Sequence, residues 1–263
     1  MTAYLRAFPT LLRVALAEMT AYRAEMIIWI LSATMPLVML ALWGAAAESA
    51  GPIGGFDQTD FTRYFAITLV VRQLTGAWVA WELNHQIRTG SLSPQLLRPM
   101  NPLAWQFAET LAAMPWRMLV LFPLVLGVLV WRPDTLFWPG LGRCLAFGVS
   151  VFLAFLLSYA VSAAFGILAF WWDQSLGLFQ VWFFLWSLLG GYLIPLALMP
   201  PAWVRVAWWL PFHAALGAPV ELLMGLEPPG PILALQVVWA SIAIALCAVG
   251  WRAGIRRYGA VGA

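Results

Sequence analysis

Fourteen basic residues, eleven acids, two histidines and two cysteines are the groups with which this 263-residue chain could do chemistry. All fourteen basic residues are arginine, and lysine is missing altogether. A phosphate-loop nucleotide site needs a lysine on the β- and γ-phosphates, and Schiff-base chemistry needs a lysine amine, so the chain supports neither. Cys144 and Cys247 stand far apart at or within apolar runs. Their spacing gives no disulfide framework and no zinc site, and they read as buried free thiols. His213, beside Phe212, has no second ligand at metal-binding spacing and reads as a packing or hydrogen-bonding residue. Among the apolar segments the charged groups are Arg72, Glu109 and Arg117. An embedded enzyme acting on lipids requires converging groups, such as paired acids, a metal cluster or a nucleophile with its base, and these three do not converge.

The densest polar stretch is Glu82 to Pro102, which carries Glu82, His85, Arg88 and Arg98 in a chain that is only 10% charged. Gly90 is a helix stop, Ser91 and Ser93-Pro94 are helix starts, and Arg98-Pro99 is a further break. The spacing predicts a short helix near 82–89 and a second near 93–98, with Leu92, Leu96 and Leu97 as apolar contacts. We expect this helix-turn-helix on the cytoplasmic side, presented to a soluble partner.

The elements that must position it belong to a membrane. The chain is 63% hydrophobic, with 17 tryptophans and a mean hydropathy of +0.86. A soluble domain of this length needs more charge to cover its surface. The expectation is an all-α polytopic membrane protein, one domain over 1–263. Its pI of about 9.2 does not point to nucleic acid, because the arginines sit mostly at the ends of apolar segments, as topology requires. Residues 2–24 form an amphipathic interfacial helix with Arg6 and Arg13 on its polar face. Met26–Trp43, Phe61–Trp81, 103–131, Cys144–Phe170, Leu176–Leu198 and Ile232–Trp251 are six spans of sufficient length. Ser150, Ala154, Ser158, Ser162 and Gly166 make a small-residue ridge along the fourth, suited to close helix approach. Counting crossings places both termini inside. Arg6, Arg13, Arg23, Arg88, Arg98, Arg252, Arg256 and Arg257 are then inside, against Arg63, Arg132, Arg143 and Arg205 outside, the bias expected of cytoplasmic loops.

Two places break the apolar pattern. Arg72 falls near the middle of the second span, nine residues from Arg63 and so about 13 Å further along a helix. Such an arginine faces the bundle interior or a wet cavity. Either it pairs with an acid on another helix, or it attracts an anionic substrate group on the transport pathway. Residues 195–230 contain Pro195, Pro200, Pro201, Pro211, Pro219, Pro228 and Pro229, which cut an apolar, tryptophan-rich stretch into pieces too short to cross. Broken backbone at membrane depth is tolerated where protein or a wet cavity covers it. We expect two half-helices, near 201–210 and 213–224, dipping in from outside as a re-entrant hairpin before the last span.

The order of these elements resembles the ABC-2 (type-2 ABC exporter) permeases. Ile87-Arg88-x-Gly90-x-Leu92 with Leu96-Leu97-Arg98-Pro99, and Ile194-Pro195-Leu196, Pro200, Leu210-Pro211-Phe212, Pro219 and Gly225, are similar to a bacterial subgroup of about this length. The resemblance implies a non-catalytic permease in the bacterial cytoplasmic membrane. It would pair with a second permease, identical or homologous, and with two ATP-binding cassette subunits that hold the ATP and magnesium; this chain itself would bind no cofactor. The segment 82–99 would be the coupling helix docked on the ATPase, through Glu82, His85, Gln86, Arg88, Gly90, Leu92, Leu96, Leu97, Arg98 and Pro99. Pro195, Pro200, Pro211, Phe212 and Pro219 would belong to the re-entrant gate. ATP binding would rock the bundles and move an amphipathic or lipid-like cargo outward by alternating access. The competing class is an ion-gradient secondary transporter, which usually shows internal repeats and buried acids on broken helices. No repeat is evident between the halves, and no carboxylate was assigned to the middle of a span.

Overall fold

The computed structural model describes residues 34–259, with Thr10, Arg13, Val14 and Ala17 placed singly before them. The interfacial helix expected over 2–24 lies, apart from those positions, outside the described residues, as does the start of the first span. The described chain is helical, and its one β-bridge, Ile53 to Phe56, belongs to no strand. In order the helices are α1 (Met35–Ala50), α2 (Gln58–Thr75), α3 (Val79–Thr89), α4 (Ser93–Leu96), α5 (Pro102–Trp131), α6 (Leu141–Ile167), α7 (Ser175–Leu189), α8 (Pro201–Trp208), α9 (Pro211–Ala215), α10 (Gly217–Met224) and α11 (Pro229–Arg257).

Local chemistry sets several of these ends. Asp57 caps α2 by accepting from the Asp60 amide at 2.8 Å, and Asp60 returns the bond to the Asp57 amide, a capping box. α3 stops at Gly90, whose φ of 78° lies in the left-handed region that a residue without Cβ enters freely. Asn101 caps α5 by accepting from the Leu103 amide, with Pro102 in the first turn, where its missing N–H leaves nothing unpaired. α5 continues helical through Pro115 and Pro123.

Among the described residues, α5, α6 with its 3-10 extension to Phe170, and α11 are long and apolar enough to cross a bilayer, with mean hydropathies of 2.0, 2.3 and 2.4. α1 and α7 are shorter apolar helices of 16 and 15 residues. Two expected spans end early. The second stops at Thr75 and restarts as α3 after Gly76-Ala77-Trp78. The fifth stops at Leu189, where the Gly190-Gly191 pair enters a turn with Gly191 at φ 83°.

α6 stands at the centre and packs against α2, α3, α7, α10 and α11. Its small ridge makes this approach possible. Ser150, Ala154, Ser162 and Gly166 are buried, and a Cβ on Gly166 would meet Leu83 Cβ at 2.8 Å and Ala80 Cα at 3.1 Å. One hydrophobic cluster gathers Phe61, Tyr64, Phe65, Trp186 and Phe212. A second, around Leu83, Ile87, Leu92, Phe155, Ile167 and Trp251, holds α3 and the α3–α4 turn onto α6 and α11.

The proline-rich stretch forms three pieces rather than two. α8 lies at the periphery with Trp203, Val206 and Trp209 exposed, whereas every residue of 211–222 is buried. Buried irregular backbone needs hydrogen-bond partners, and side chains from other helices supply them. Tyr64 Oη donates to the Gly191 carbonyl at 2.9 Å, Trp43 Nε1 to Leu193 at 3.0 Å and Gln236 Nε2 to Ala214 at 2.9 Å, and at the exposed end of the stretch Trp239 Nε1 donates to Trp209 at 2.9 Å. Gln236 is wholly buried and also accepts from Ser150 Oγ at 2.9 Å.

At the opposite end of α2 from Gly76, Arg63 Nε and Nη2 donate to the Thr135 and Asp134 carbonyls, both at 3.0 Å. Asp134 accepts from Arg132 and from Thr59 Oγ1. Those hydrogen bonds, Arg132 first, hold its carboxyl down to about 2. A depressed carboxyl pKa contributes stability that is complete above its unfolded value near 4 and disappears as pH falls toward about 2. An Asp134→Asn variant should therefore melt slightly below the parent at pH 7 and match it near pH 2, measured by thermal unfolding in detergent across that range. Gln236→Leu strands the Ala214 carbonyl and should cost about 1–3 kcal/mol, read from equilibrium unfolding in mixed micelles.

Candidate functional site

The presented segment and the arginine of α2 lie on either side of one helix break. α3 and α4 expose Glu82, His85, Arg88, Arg98 and Pro99, with Leu97 the most exposed apolar residue there at 88%. Two residues expected on this face sit inside instead. Gln86 is buried, donating to Glu82 Oε1 at 2.6 Å and accepting from Gln106 Nε2 at 3.2 Å. Leu92 is fully buried in the cluster beneath the turn, and Leu96 is half-buried against it. An α3 register that points Leu83 and Ile87 into the core also turns Gln86 inward, since neighbours three and four apart share a face. Arg88 Nη1 reaches the Asp173 carbonyl at 3.1 Å, tying the exposed face to the α6–α7 turn.

Because α2 ends at Thr75, Arg72 occupies its last turn and not the middle of a span. There a cation complements the carbonyl end of the helix. Of its two readings the acid pair is not seen: among the described residues no carboxylate pairs with Arg72. Its guanidinium lies 5.2 Å from the Trp186 ring centre and 5.9 Å from that of Phe183, with the Tyr192 hydroxyl as a polar neighbour. Its Nε is buried without a hydrogen-bond partner. Cation–π contact of this kind stabilises a desolvated arginine by roughly 2 kcal/mol.

A second arginine stands beside it. Arg117 Nη1, from α5, donates to the Gly76 carbonyl at 2.6 Å and to the Gln73 carbonyl at 3.2 Å, closing the open end of α2. A Cβ on Gly76 would lie 2.8 Å from Arg72 Nη1 and 3.4 Å from Arg117 Nη1, so a side chain there would push the Arg72 guanidinium aside. Like charges brought this close repel. The helix-end carbonyls and the aromatic faces offset this.

Arg72 opens onto a cavity of about 260 Å³ between α2, the 76–81 break, α6 and α7. Thr75, Ser158, Ser162 and Gln180 add polar atoms, and Trp78, Trp81 and Phe183 add aromatic surface. Trp78 and Trp81 are also exposed on the outside of the chain, 40% and 37%. A second cavity, about 390 Å³ between α6, α7 and α11, has an almost wholly apolar lining and no charged side chain.

The sequence alone offers His213 no partner. In the structure His213 and Glu221 form a buried pair, Nε2 to Oε2 2.8 Å, joining α9 to α10. The two residues lie eight apart in one proline-broken stretch, a spacing that suggests a contact only once the break between the two short helices is known.

A bundle of apolar helices with broken, internally paired backbone and a charged turn at one end defines a helical membrane protein. The family described as "ABC-2 family transporter protein" matches residues 33–262, and the chain belongs to it. It is thus an ABC transporter permease, a membrane protein of transport. No curated protein and no solved structure matches it.

Arg117→Ala removes the donor to the Gly76 and Gln73 carbonyls. It should lower stability by about 1–3 kcal/mol, whereas Arg117→Gln, still able to donate, should recover part of the loss; both are read by thermal unfolding in detergent.

Proposed function

We propose that the chain is the membrane subunit of an ATP-driven exporter, carrying an amphipathic or lipid-like cargo out of a bacterial cytoplasm. With six crossings and both termini cytoplasmic, α3 and α4 lie on the inner side. There Glu82, His85, Arg88, Leu97, Arg98 and Pro99 dock on an ATP-binding cassette ATPase. Two such ATPases hold the ATP and magnesium, and a second permease, identical or homologous, completes the pathway. α8 to α10, with Pro195, Pro200, Pro211, Phe212 and Pro219, form the external re-entrant gate. The observation that carries this reading is family membership over nearly the whole chain, supported by the charged, exposed face of α3–α4 held rigidly on the bundle.

Docking energy reaches the bundle through the buried side of α3. Leu83 and Ile87 pack in the same cluster as Phe155 and Ile167 of α6, so a push on the exposed face moves α6 with it. α3 also follows the break beside Arg72, which makes residues 76–78 the hinge between docking face and cavity.

Purification from native membranes through a C-terminal tag should recover a soluble subunit with a Walker lysine in equal number to permease chains. Recovery of the permease without any ATPase would overturn the reading in favour of a secondary transporter. In the assembled complex, Arg88→Glu with Arg98→Glu should lower cargo-stimulated ATP hydrolysis about tenfold or more, because reversed charge at an interface repels its partner. Full stimulation in that variant would remove α3–α4 from the interface.

A further inference from the structure

We propose that the cavity beside Arg72 is a headgroup site for an anionic amphiphile, a phosphate or carboxylate ester with an apolar tail. The inference rests on the permease reading, since it names the chemical class of the cargo. Its first support is a charge without a counter-ion. Arg72 is a permanent cation that pairs with no carboxylate among the described residues; its Nε is buried without a hydrogen-bond partner, and Arg117 is its charged neighbour. An anion entering the cavity meets the Arg72 guanidinium directly and the field of the second from behind. The planar fork of an arginine suits two oxygens of one phosphate or carboxylate.

The second support is the shape of the lining. Ser158 and Gln180 stand across the cavity as neutral hydrogen-bonding groups, while Trp78, Trp81 and Phe183 supply apolar walls. A free inorganic anion would leave those walls against water. An amphiphile uses both halves. The larger neighbouring cavity, with no charged side chain, lacks the first half and carries no such assignment.

The third support is depth. Arg72 comes fourteen residues after Gln58, the start of α2, or about 21 Å along the helix. With α2 as the proposed second crossing of a hydrocarbon layer about 30 Å thick, that level belongs to the leaflet nearer α3. Trp78 and Trp81, exposed on the outer surface and lining the cavity, flank an opening at the level where indole rings settle in membranes. A lipid-like molecule thus enters sideways from that leaflet, headgroup first, with its tail left between the tryptophans.

The test uses the full permease in maltoside detergent and radiolabelled octyl phosphate, with octyl glucoside and inorganic phosphate as competitors. We expect saturable binding that neither competitor displaces at equal concentration. Arg72→Gln should weaken it about tenfold or more, the usual worth of a hydrogen bond to a charged group. Ser158→Phe, which fills the cavity and leaves both arginines, should do the same. Because Arg72→Gln could unfold the chain, Ser158→Phe decides the matter if the first variant aggregates on size exclusion. Absence of saturable binding, or unchanged affinity in a folded variant, would overturn the proposal. Displacement by inorganic phosphate alone would make this a free-anion site and overturn the amphiphile. No ATPase is needed, so failure here leaves the exporter reading standing, and failure to recover an ATPase leaves the binding result intact.

Discussion

Backbone carbonyls that cannot be reached by water must be reached by something else, and that constraint governs the part of the molecule after α7. Residues 190–228 are chopped by glycine and proline into segments too short to satisfy their own ends. In hydrocarbon each orphaned group would cost several kcal/mol. The chain answers with long-range side-chain donors, Trp43, Tyr64, Gln236 and Trp239, drawn from α1, α2 and α11. The same donors fix where those helices stand, so the broken stretch and the bundle around it specify one another. α2 applies the principle at its other end, where Arg117 plays the donor to Gly76.

α6 makes this economical. Its small residues allow α3 and α11 to approach, Ser150 meets Gln236, and Ser162 Oγ accepts from the Ala80 amide at 3.0 Å at the start of α3. One ridge therefore serves three purposes along its length: holding the helix that braces the broken stretch, seating the first turn of α3, and, at Ser158, leaving open the cavity beside Arg72. A bulky residue at Ser150 or Gly166 would disturb packing, whereas one at Ser158 fills space.

Much of this was legible in the sequence. Membrane character, the long helices α5, α6 and α11, the α3–α4 turn and the breaking of 195–230 follow from composition, glycine and proline. What misled was continuity of hydropathy. Trp78 to Trp81 extend the apolar run of α2, so periodicity alone carries the helix through Gly76 and sets Arg72 in mid-span. The same continuity carries α7 past Gly190-Gly191. The helix break that relocates Arg72 also explains why it needs no acid: its neighbours are carbonyl dipoles, a tyrosine hydroxyl and aromatic faces, none of which a charge count registers. Gln86 was misplaced for a related reason, since polarity suggests exposure and only the α3 register shows it turned inward. Glu221 was passed over because a lone acid in an apolar stretch reveals nothing until its histidine is brought beside it.

The order in which the four donors emerge has a consequence for how the protein is made. Trp43 and Tyr64 are synthesised well before the segment they serve, but Gln236 and Trp239 follow it, on α11. While the ribosome is still short of residue 236, the Trp209 and Ala214 carbonyls have neither of these side-chain partners. Until then those carbonyls depend on water or on other groups for their hydrogen bonds. Docking of α11 completes their pairing, so this helix is the latch for elements made before it.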